Sequence, residues 1–295
     1  KPRSVDPPAG DRMSWRLEVT HHTGLRYSSP VGVSFNEARM TPADNGGQLL
    51  ITHELSVSPG ARVIGYTDYW GTLVEAFDVH EPHTTLEVVS HSVVDTPPAQ
   101  VRPDGLSWDS IAGSAIRDTW CEYLRTSDYV DNALVDSLRI DVVERLRTQA
   151  TPRLAIDQAM ADVQSRIQYA SGTTSVYTTA RQAWEAGTGV CQDFTHAMLS
   201  LLRAVGIPAR YVSGYLYPKE GEIGESVTGE SHAWVEAWDG GWWACDPTNG
   251  SEVGERHTAV ARGRDYSDVS PLKGIYSGGI SEDLGVEVSL TRLPR

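Results

Sequence analysis

Residues 187–217, GTGVCQDFTHAMLSLLRAVGIPARYVSGYLY, restrict what this chain can fold into more than any other stretch. Gly187 and Gly189 break the chain just ahead of Cys191, so the cysteine opens a helix rather than lying inside one. Behind it Phe194, Ala197, Met198, Leu201, Leu202 and Val205 recur at helical spacing, the pattern of a helix that buries one face. Gly206 and Pro208 end that helix, and Tyr211 to Tyr217 reads as a strand. The cysteine therefore sits at the positive end of a helix dipole, which favours its anionic, nucleophilic form.

A second segment, GESHAWVEAWDGGWWACDPTN at 229–249, carries the groups a thiol needs. From His232 the sequence alternates, with Ala233, Val235 and Ala237 on one face and His232, Trp234, Glu236 and Trp238 on the other. The DGG turn at 239–241 predicts a hairpin into Trp242–Asp246. Adjacent antiparallel strands would then carry His232 and Asp246, and cross-strand neighbours lie only about 5 Å apart. A thiol needs a base to become a thiolate, and the base needs a third group to set its tautomer and orientation. Cys191, His232 and Asp246 supply those three roles in chain order.

These two segments resemble the core of the transglutaminase-like superfamily, which shares a papain-like Cys–His–Asp arrangement. More narrowly, the chain from Met13 onward resembles bacterial transglutaminase-like proteins that join an N-terminal β domain to that core. SWRLEVTHHTGLRYSSPVGVSFNEARMTP (14–42) resembles the start of their N-terminal domain, and HTAVARGRDYSDVSPLKGIYSGG (257–279) their closing segment. The resemblance implies Cys191 as nucleophile, His232 as base and Asp246 as orienter. It also implies acyl transfer from an amide through a thioester. Members include proteases, amidases and transamidases, so hydrolysis by a cysteine peptidase or amidase is the expected outcome and transamidation the alternative. A non-catalytic scaffold with a vestigial core is the rival from another class. The Cys191 N–H is the first expected oxyanion donor; Gln192 and Trp184 are candidates for the second. Trp184, Trp234, Trp238, Trp242 and Trp243 crowd the region, and some of them are candidates to wall a substrate cleft. Tyr266, in the segment Gly263–Tyr266, is a further candidate for shaping it.

The formal charge of −14 and a pI near 5.0 argue against nucleic acid, whose backbone demands a basic face. The expected partner is a protein or peptide substrate. No run of about 18 apolar residues suggests a membrane span, and no apolar stretch opens the chain as a secretory signal. Residues 1–13 read as a disordered leader, or as residues placed ahead of a native start at Met13. Cys121, Cys191 and Cys245 make no disulfide framework and suit a reducing, cytoplasmic compartment. Cys245, opposite in facing to Asp246, and Cys121 are both expected to be packing residues. His21–His22 and His80 with His83 lack the spacing of a metal site, and no stretch resembles a calcium loop, so no cofactor or metal is expected. Nothing in the sequence sets an oligomeric state.

The expected fold class is α+β, an N-terminal antiparallel β-sandwich followed by a papain/transglutaminase-like α+β core. Residues 14–96 alternate between turn signals such as NGG (45–47) and SPG (58–60), predicting six or seven strands. In this range Leu49, Ile51, His53, Leu55 and Val57 alternate with Leu50, Thr52, Glu54 and Ser56. Residues 97–108 read as a Pro-rich linker and 109–295 as the catalytic domain. Helical spacing runs through Ile111, Ala115, Ile116, Trp120 and Leu124. It resumes through Leu134, Val135, Leu138, Val142, Val143 and Leu146, and Thr151–Pro152 starts another helix. Residues 282–292 return to strand alternation.

Overall fold

The computed structural model describes residues 14–102, 104–130, 139–218 and 223–294. The leader and the helical pattern through Leu134, Val135 and Leu138 fall outside these residues. No helix among the described residues is long and apolar enough to cross a membrane.

Two sheets form the N-terminal half. Strands β1 (Trp15–Val31), β2 (Val33–Ala38), β3 (Leu49–Ser58), β4 (Val63–Thr67), β5 (Leu73–Val79) and β6 (His83–Thr96) are all antiparallel in their pairings. They close over Tyr27, Val31, Ala38, Met40, Phe77, Val79, Leu86 and Val88. Strand β3 departs from simple alternation. A register shift between Leu50 and Thr52 inserts one residue, and an inserted residue flips every side chain before it to the opposite face. Leu49 and Ile51 are therefore exposed, while Leu50 joins His53, Leu55 and Val57 in being partly covered.

The C-terminal half holds a helix Pro152–Arg166, a helix Ala180–Ala186 and the helix Cys191–Ala204. The first starts as expected, with Thr151 accepting the Leu154 N–H and Pro152 in the first turn. Strands β7 (Gln168–Tyr169) and β8 (Thr188–Gly189) form a short parallel pair. Strands β9 (Ala209–Leu216), β10 (Ser226–Trp238), β11 (Trp242–Asp246), β12 (Ser251–Glu252) and β13 (His257–Gly263) form the sheet beneath the Cys191 helix. Ala233, Val235 and Ala237 pack with Met198, Leu201 and Leu202 in one core, whereas Trp234, Val212 and Ala259 form a small cluster of their own.

The Cys191 helix is buried on every side from Gln192 to Arg203, not on one face alone. Its polar positions are covered by other parts of the chain, and some of them find partners there, while Thr195 Oγ1 and Ser200 Oγ are buried without one among the described residues. Arg203 donates to the carbonyls of Arg125, Ala209 and Arg264, and His196 Nε2 accepts the Tyr266 N–H. Burial pushes the His196 ring down to about 3, so it is neutral. Cys121 is exposed rather than packed, because its short helical turn ends on the surface, and Cys245 is buried as expected.

The expected boundary between 14–96 and 109–295 does not divide the sheets. Strand β14 (Leu272–Ser277) adds to β2, and β15 (Ser281–Leu293) adds to β1. Strand β15 also pairs with β10, so one nine-stranded sheet runs from β3 to the hairpin that carries His232 and Asp246. Length is the physical reason. Strand β1 has 17 residues, and at about 3.3 Å each it outspans a single core. Its start, at Leu17 and Val19, lies in the core of the Cys191 helix, and its end, at Tyr27 and Val31, closes the sandwich. The expected linker lacks helix and strand from 97 to 107 apart from residue 103, but it is tied down. Leu106 N–H donates to Asp239 at 2.8 Å, and Arg102 donates to Asp157 at 2.6 Å.

Buried charge completes the junction. Glu236, four residues past His232, is clamped by Arg210 at 2.5 Å and by Arg262 at 3.0 Å, and Arg262 also reaches Asn45 of the sandwich at 3.1 Å. Burial opposes ionisation of Glu236, but the two guanidinium groups outweigh it and hold the carboxyl below its usual range. Glu236→Ala leaves two largely buried cations without their partner, so urea unfolding should show a loss of about 3–5 kcal/mol. A change below about 1 kcal/mol would mean that this clamp does not hold the halves together.

Candidate functional site

The thiol is placed by its approach. The helix Ala180–Ala186 stops on Gly187, whose φ of 70° is a left-handed turn. The chain then runs through β8 and starts a new helix at Cys191. Asp193 braces that start from within the first turn, where Oδ2 accepts the Val190 N–H at 2.8 Å and the Thr174 hydroxyl at 2.7 Å. A Cβ on Gly189 would lie 2.6 Å from the Asp193 Cβ, so only glycine allows this approach. Cys191 itself is only partly covered, and its Sγ lies 3.9 Å from the Ser231 carbonyl oxygen.

The hairpin delivers the other two groups. Strands β10 and β11 pair from Val235 opposite Cys245 to Trp238 opposite Trp242, the expected hairpin. His232 Nε2 is 2.8 Å from Asp246 Oδ2, both side chains are buried, and the Cys191 thiol lies close enough to the same ring to act on its pKa. With Nε2 on the carboxylate, Nδ1 is the ring nitrogen left for the thiol. Burial works against charge on His232, but the bonds to Asp246 and Cys191 prevail and push its pKa up to about 10. Burial would likewise raise the Asp246 carboxyl; hydrogen bonds from His232, His257 and Asn249 hold it well below the usual carboxylate range. At neutral pH the pair is imidazolium and carboxylate.

The other expected site residues are scattered. Trp184 is buried in the main core beside Ala180 and Ala183. Gln192 is buried, and its amide donates to the Val176 carbonyl at 3.0 Å, holding the 170–178 loop against the helix start. Trp234 is 1% exposed, lies edge-on to His257 at 5.3 Å, and lines a cavity at the sandwich junction, not the one beside His232. Tyr266 is half-buried, 6.3 Å from Tyr129. The Tyr211 phenol is held protonated by burial first, then by the nearby Cys191 and Tyr266. A cavity of about 340 Å³ opens beside His232, between Tyr169, Leu216, Pro218 and Asn249. A larger one, about 460 Å³, lies at the sandwich junction among Trp70, Arg210, Trp242 and Arg262. The smaller cavity includes His232 among its lining residues.

Two contributors escape the sequence reading. Asn249 donates its side-chain amide to Asp246 Oδ2 at 2.7 Å, and its N–H joins that of Thr248 on Oδ1 at 3.2 and 2.9 Å. The signal existed: Asp-Pro-Thr-Asn is an Asx-turn pattern, in which the carboxylate takes N–H groups two and three residues on. His257 Nε2 lies 3.5 Å from the same Oδ2, and no local pattern announces it. His232, Asp246 and His257 offer ligand atoms within 4.8 Å of one another, which raises the question of a metal. The bonding favours protons. Two ligands about 2.0 Å from a tetrahedral ion stand about 3.3 Å apart, but His232 and Asp246 are at 2.8 Å. His257 Nδ1 is taken by the Gly254 N–H at 3.3 Å. The pairs His21–His22 and His80–His83 form no such cluster among the described residues; His21 bonds Tyr215 and Thr23, and His83 bonds the Glu81 carbonyl.

Known proteins share this arrangement of chain. The family described as the transglutaminase-like superfamily matches residues 140–247, a span that contains Cys191, His232 and Asp246. The bacterial transglutaminase-like N-terminal region matches residues 17–95. An uncharacterized protein of Mycobacterium leprae is 45% identical over 280 residues, covering 95% of this chain and 99% of that one. The chain belongs to the transglutaminase-like superfamily. A second mycobacterial relative of this transglutaminase-like protein, from Mycobacterium tuberculosis, is 33% identical over 303 residues and covers 95% and 93% of the two chains. Over 70 residues, 22% of this chain and 10% of the other, it is 39% identical to a protein-glutamine gamma-glutamyltransferase of Pseudomonas aeruginosa. Among solved structures, a candidate cysteine protease from Cytophaga hutchinsonii superposes with a TM-score of 0.76 at 20% identity, covering 96% of this chain and 92% of that one. That similarity extends the shared fold over both halves.

Proposed function

We propose that this transglutaminase-like protein is a cysteine-nucleophile enzyme that breaks amide bonds of proteins or peptides through a thioester. The observation that carries the reading is a partly accessible thiol at a helix start, close to a buried histidine that a buried carboxylate, 2.8 Å away, keeps charged. Cys191 thiolate attacks the amide carbonyl, and the C=O electrons move onto oxygen beside the Cys191 N–H. Collapse of that intermediate breaks the C–N bond, and the His232 Nδ1 proton goes to the departing amine. Neutral His232 then takes a proton from water, whose oxygen attacks the thioester and releases the acid and Cys191. Asp246 keeps Nε2 protonated throughout, so Nδ1 is the atom that gains and loses the proton.

Water is the proposed acceptor. An amine must outcompete water at about 55 M, which requires a site that binds and orients it. Among the described residues, the cavity beside His232 is lined by Tyr169, Leu216, Pro218, Thr228, Gly229, Thr248 and Asn249, none of which is a carboxylate that could hold an ammonium group. Transamidation is favoured by one observation, the short match to the Pseudomonas glutamyltransferase. The test is to form the acyl-enzyme with an activated ester and offer water, or water with a millimolar primary amine. Release of the acid in both arms is expected. Predominant amide product in the second arm would reject hydrolysis and leave the nucleophile assignment standing.

A further inference from the structure

We infer that His257 is a positioning residue of this site, holding the Asp246 carboxylate from a second side so that it can orient His232. The inference rests on the catalytic reading above. Asp246 is fully buried at the end of β11, and its two oxygens are served by separate donors. Oδ1 takes the backbone N–H groups of Thr248 and Asn249, which fix the plane of the carboxylate. Oδ2 takes His232 Nε2 at 2.8 Å, Asn249 Nδ2 at 2.7 Å and His257 Nε2 at 3.5 Å. An unbraced carboxylate could turn about its side-chain bonds and carry His232 with it. Donors from β13 and from the 248–249 turn, added to the one from β10, close off that motion.

The tautomer of His257 follows from its other nitrogen. Nδ1 faces the Gly254 N–H at 3.3 Å and must accept, so in the neutral ring Nε2 carries the hydrogen and points it at Asp246. The groups around this ring are Asp246 from β11, His232 from β10 and Arg256 beside it in sequence, with Trp234 edge-on at 5.3 Å. Burial pushes His257 down, and the positive His232 and Arg256 add to that, against the partial support of Asp246. His257 thus stays a neutral donor. It braces Oδ2 without adding a second cation that would compete with His232 for the one carboxylate. His232 and His257 are 6.1 Å apart, ring to ring, and the hydrogen bond that links His257 to the site runs to Asp246, so it acts through that carboxylate.

Two substitutions separate this role from packing. His257→Asn can still accept the Gly254 N–H, but it is too short to reach Asp246. His257→Gln places its amide nitrogen near the position of Nε2 and restores the donor. The readout is the second-order rate of Cys191 alkylation by iodoacetamide from pH 5 to 10, which needs no known substrate, with circular dichroism and Tm as controls. At pH 6 the Asn variant should alkylate about ten- to a hundredfold more slowly than the parent, the range of one hydrogen bond to a charged group. Its profile should also move toward that of a free thiol. The Gln variant should recover to within about threefold of the parent. Equal profiles for the two folded variants, whether both fast or both slow, would overturn the inference. Loss of fold in both would assign His257 to packing instead. If the parent itself alkylates as a free thiol, the catalytic reading fails first, and that outcome is distinct because it appears before any His257 variant is made.

Discussion

Cys191→Ala should give a folded protein that forms no thioester and turns over no amide. The loss expected is about 10⁴-fold or more, because no neighbouring group replaces a nucleophile that acts as a unit with its base. Cys245 cannot stand in, since it is buried and burial pushes its thiol up to about 12. Cys121 is exposed but belongs to the short helical turn of residues 121–124, which packs at the Trp238–Trp242 end of the hairpin and not at the end that holds His232 and Asp246. The fold should survive, because position 191 is only partly covered and alanine suits the first turn of a helix. Mass spectrometry after reaction with an activated acyl ester gives the answer directly. The parent should gain one acyl group on Cys191 and the variant none there. Full turnover by the variant on a confirmed substrate would remove Cys191 from the mechanism.

Asp246→Asn should reduce turnover by about 10³–10⁴-fold while leaving an ordered protein. The amide oxygen can keep the Thr248 and Asn249 N–H groups, which puts the amide NH₂ where Oδ2 stood. That NH₂ then faces three donors: His232 Nε2, His257 Nε2 and Asn249 Nδ2. His232 escapes by moving its hydrogen to Nδ1, and a ring protonated there cannot take a proton from water. Stability should also change with pH in a particular way. A folded-state pKa of about 10 for His232 means that its contribution is full below the unfolded value, about 6.5, and is lost as pH rises toward 10. Asp246 is depressed, so its contribution is full above the ordinary carboxylate value, about 3.9, and is lost as pH falls below it. The Tm gap between parent and variant should therefore be widest between about pH 4 and 6.5 and narrow toward pH 10. A gap that is constant from pH 5 to 10 would mean that His232 is not held charged by Asp246.

The legible parts of this site share one property: their geometry is set by nearby residues. Gly187, Gly189 and the apolar spacing after Cys191 place the thiol at a helix start. The alternation from His232 and the turn at 239–241 put base and acid on paired strands. Where the reading went astray, the deciding partner lay far away in sequence. Trp234 lines the cavity at the sandwich junction and not the one beside His232, because it packs with Val212 of β9 and Ala259 of β13. The polar side of the Cys191 helix would be solvated in isolation; residues 125 and 264–266 cover it.

The sequence alone determined the elements that carry Cys191, His232 and Asp246, because helix caps, strand alternation and tight turns depend on contacts a few residues apart. It also determined the α+β class, since the change from period-two to helical spacing is visible along the chain. Tertiary structure decided how the halves join. Strands β14 and β15 return more than 170 residues to pair with β2 and β1, and their sequence reads the same whichever sheet they enter. Tertiary structure also decided the surroundings of Asp246. The Asx turn is local, but His257 reaches that carboxylate only because β13 pairs with β9, and β9 with β10. A hydrogen bond made across three strands depends on sheet order and register, and neither leaves a mark on the residues around position 257.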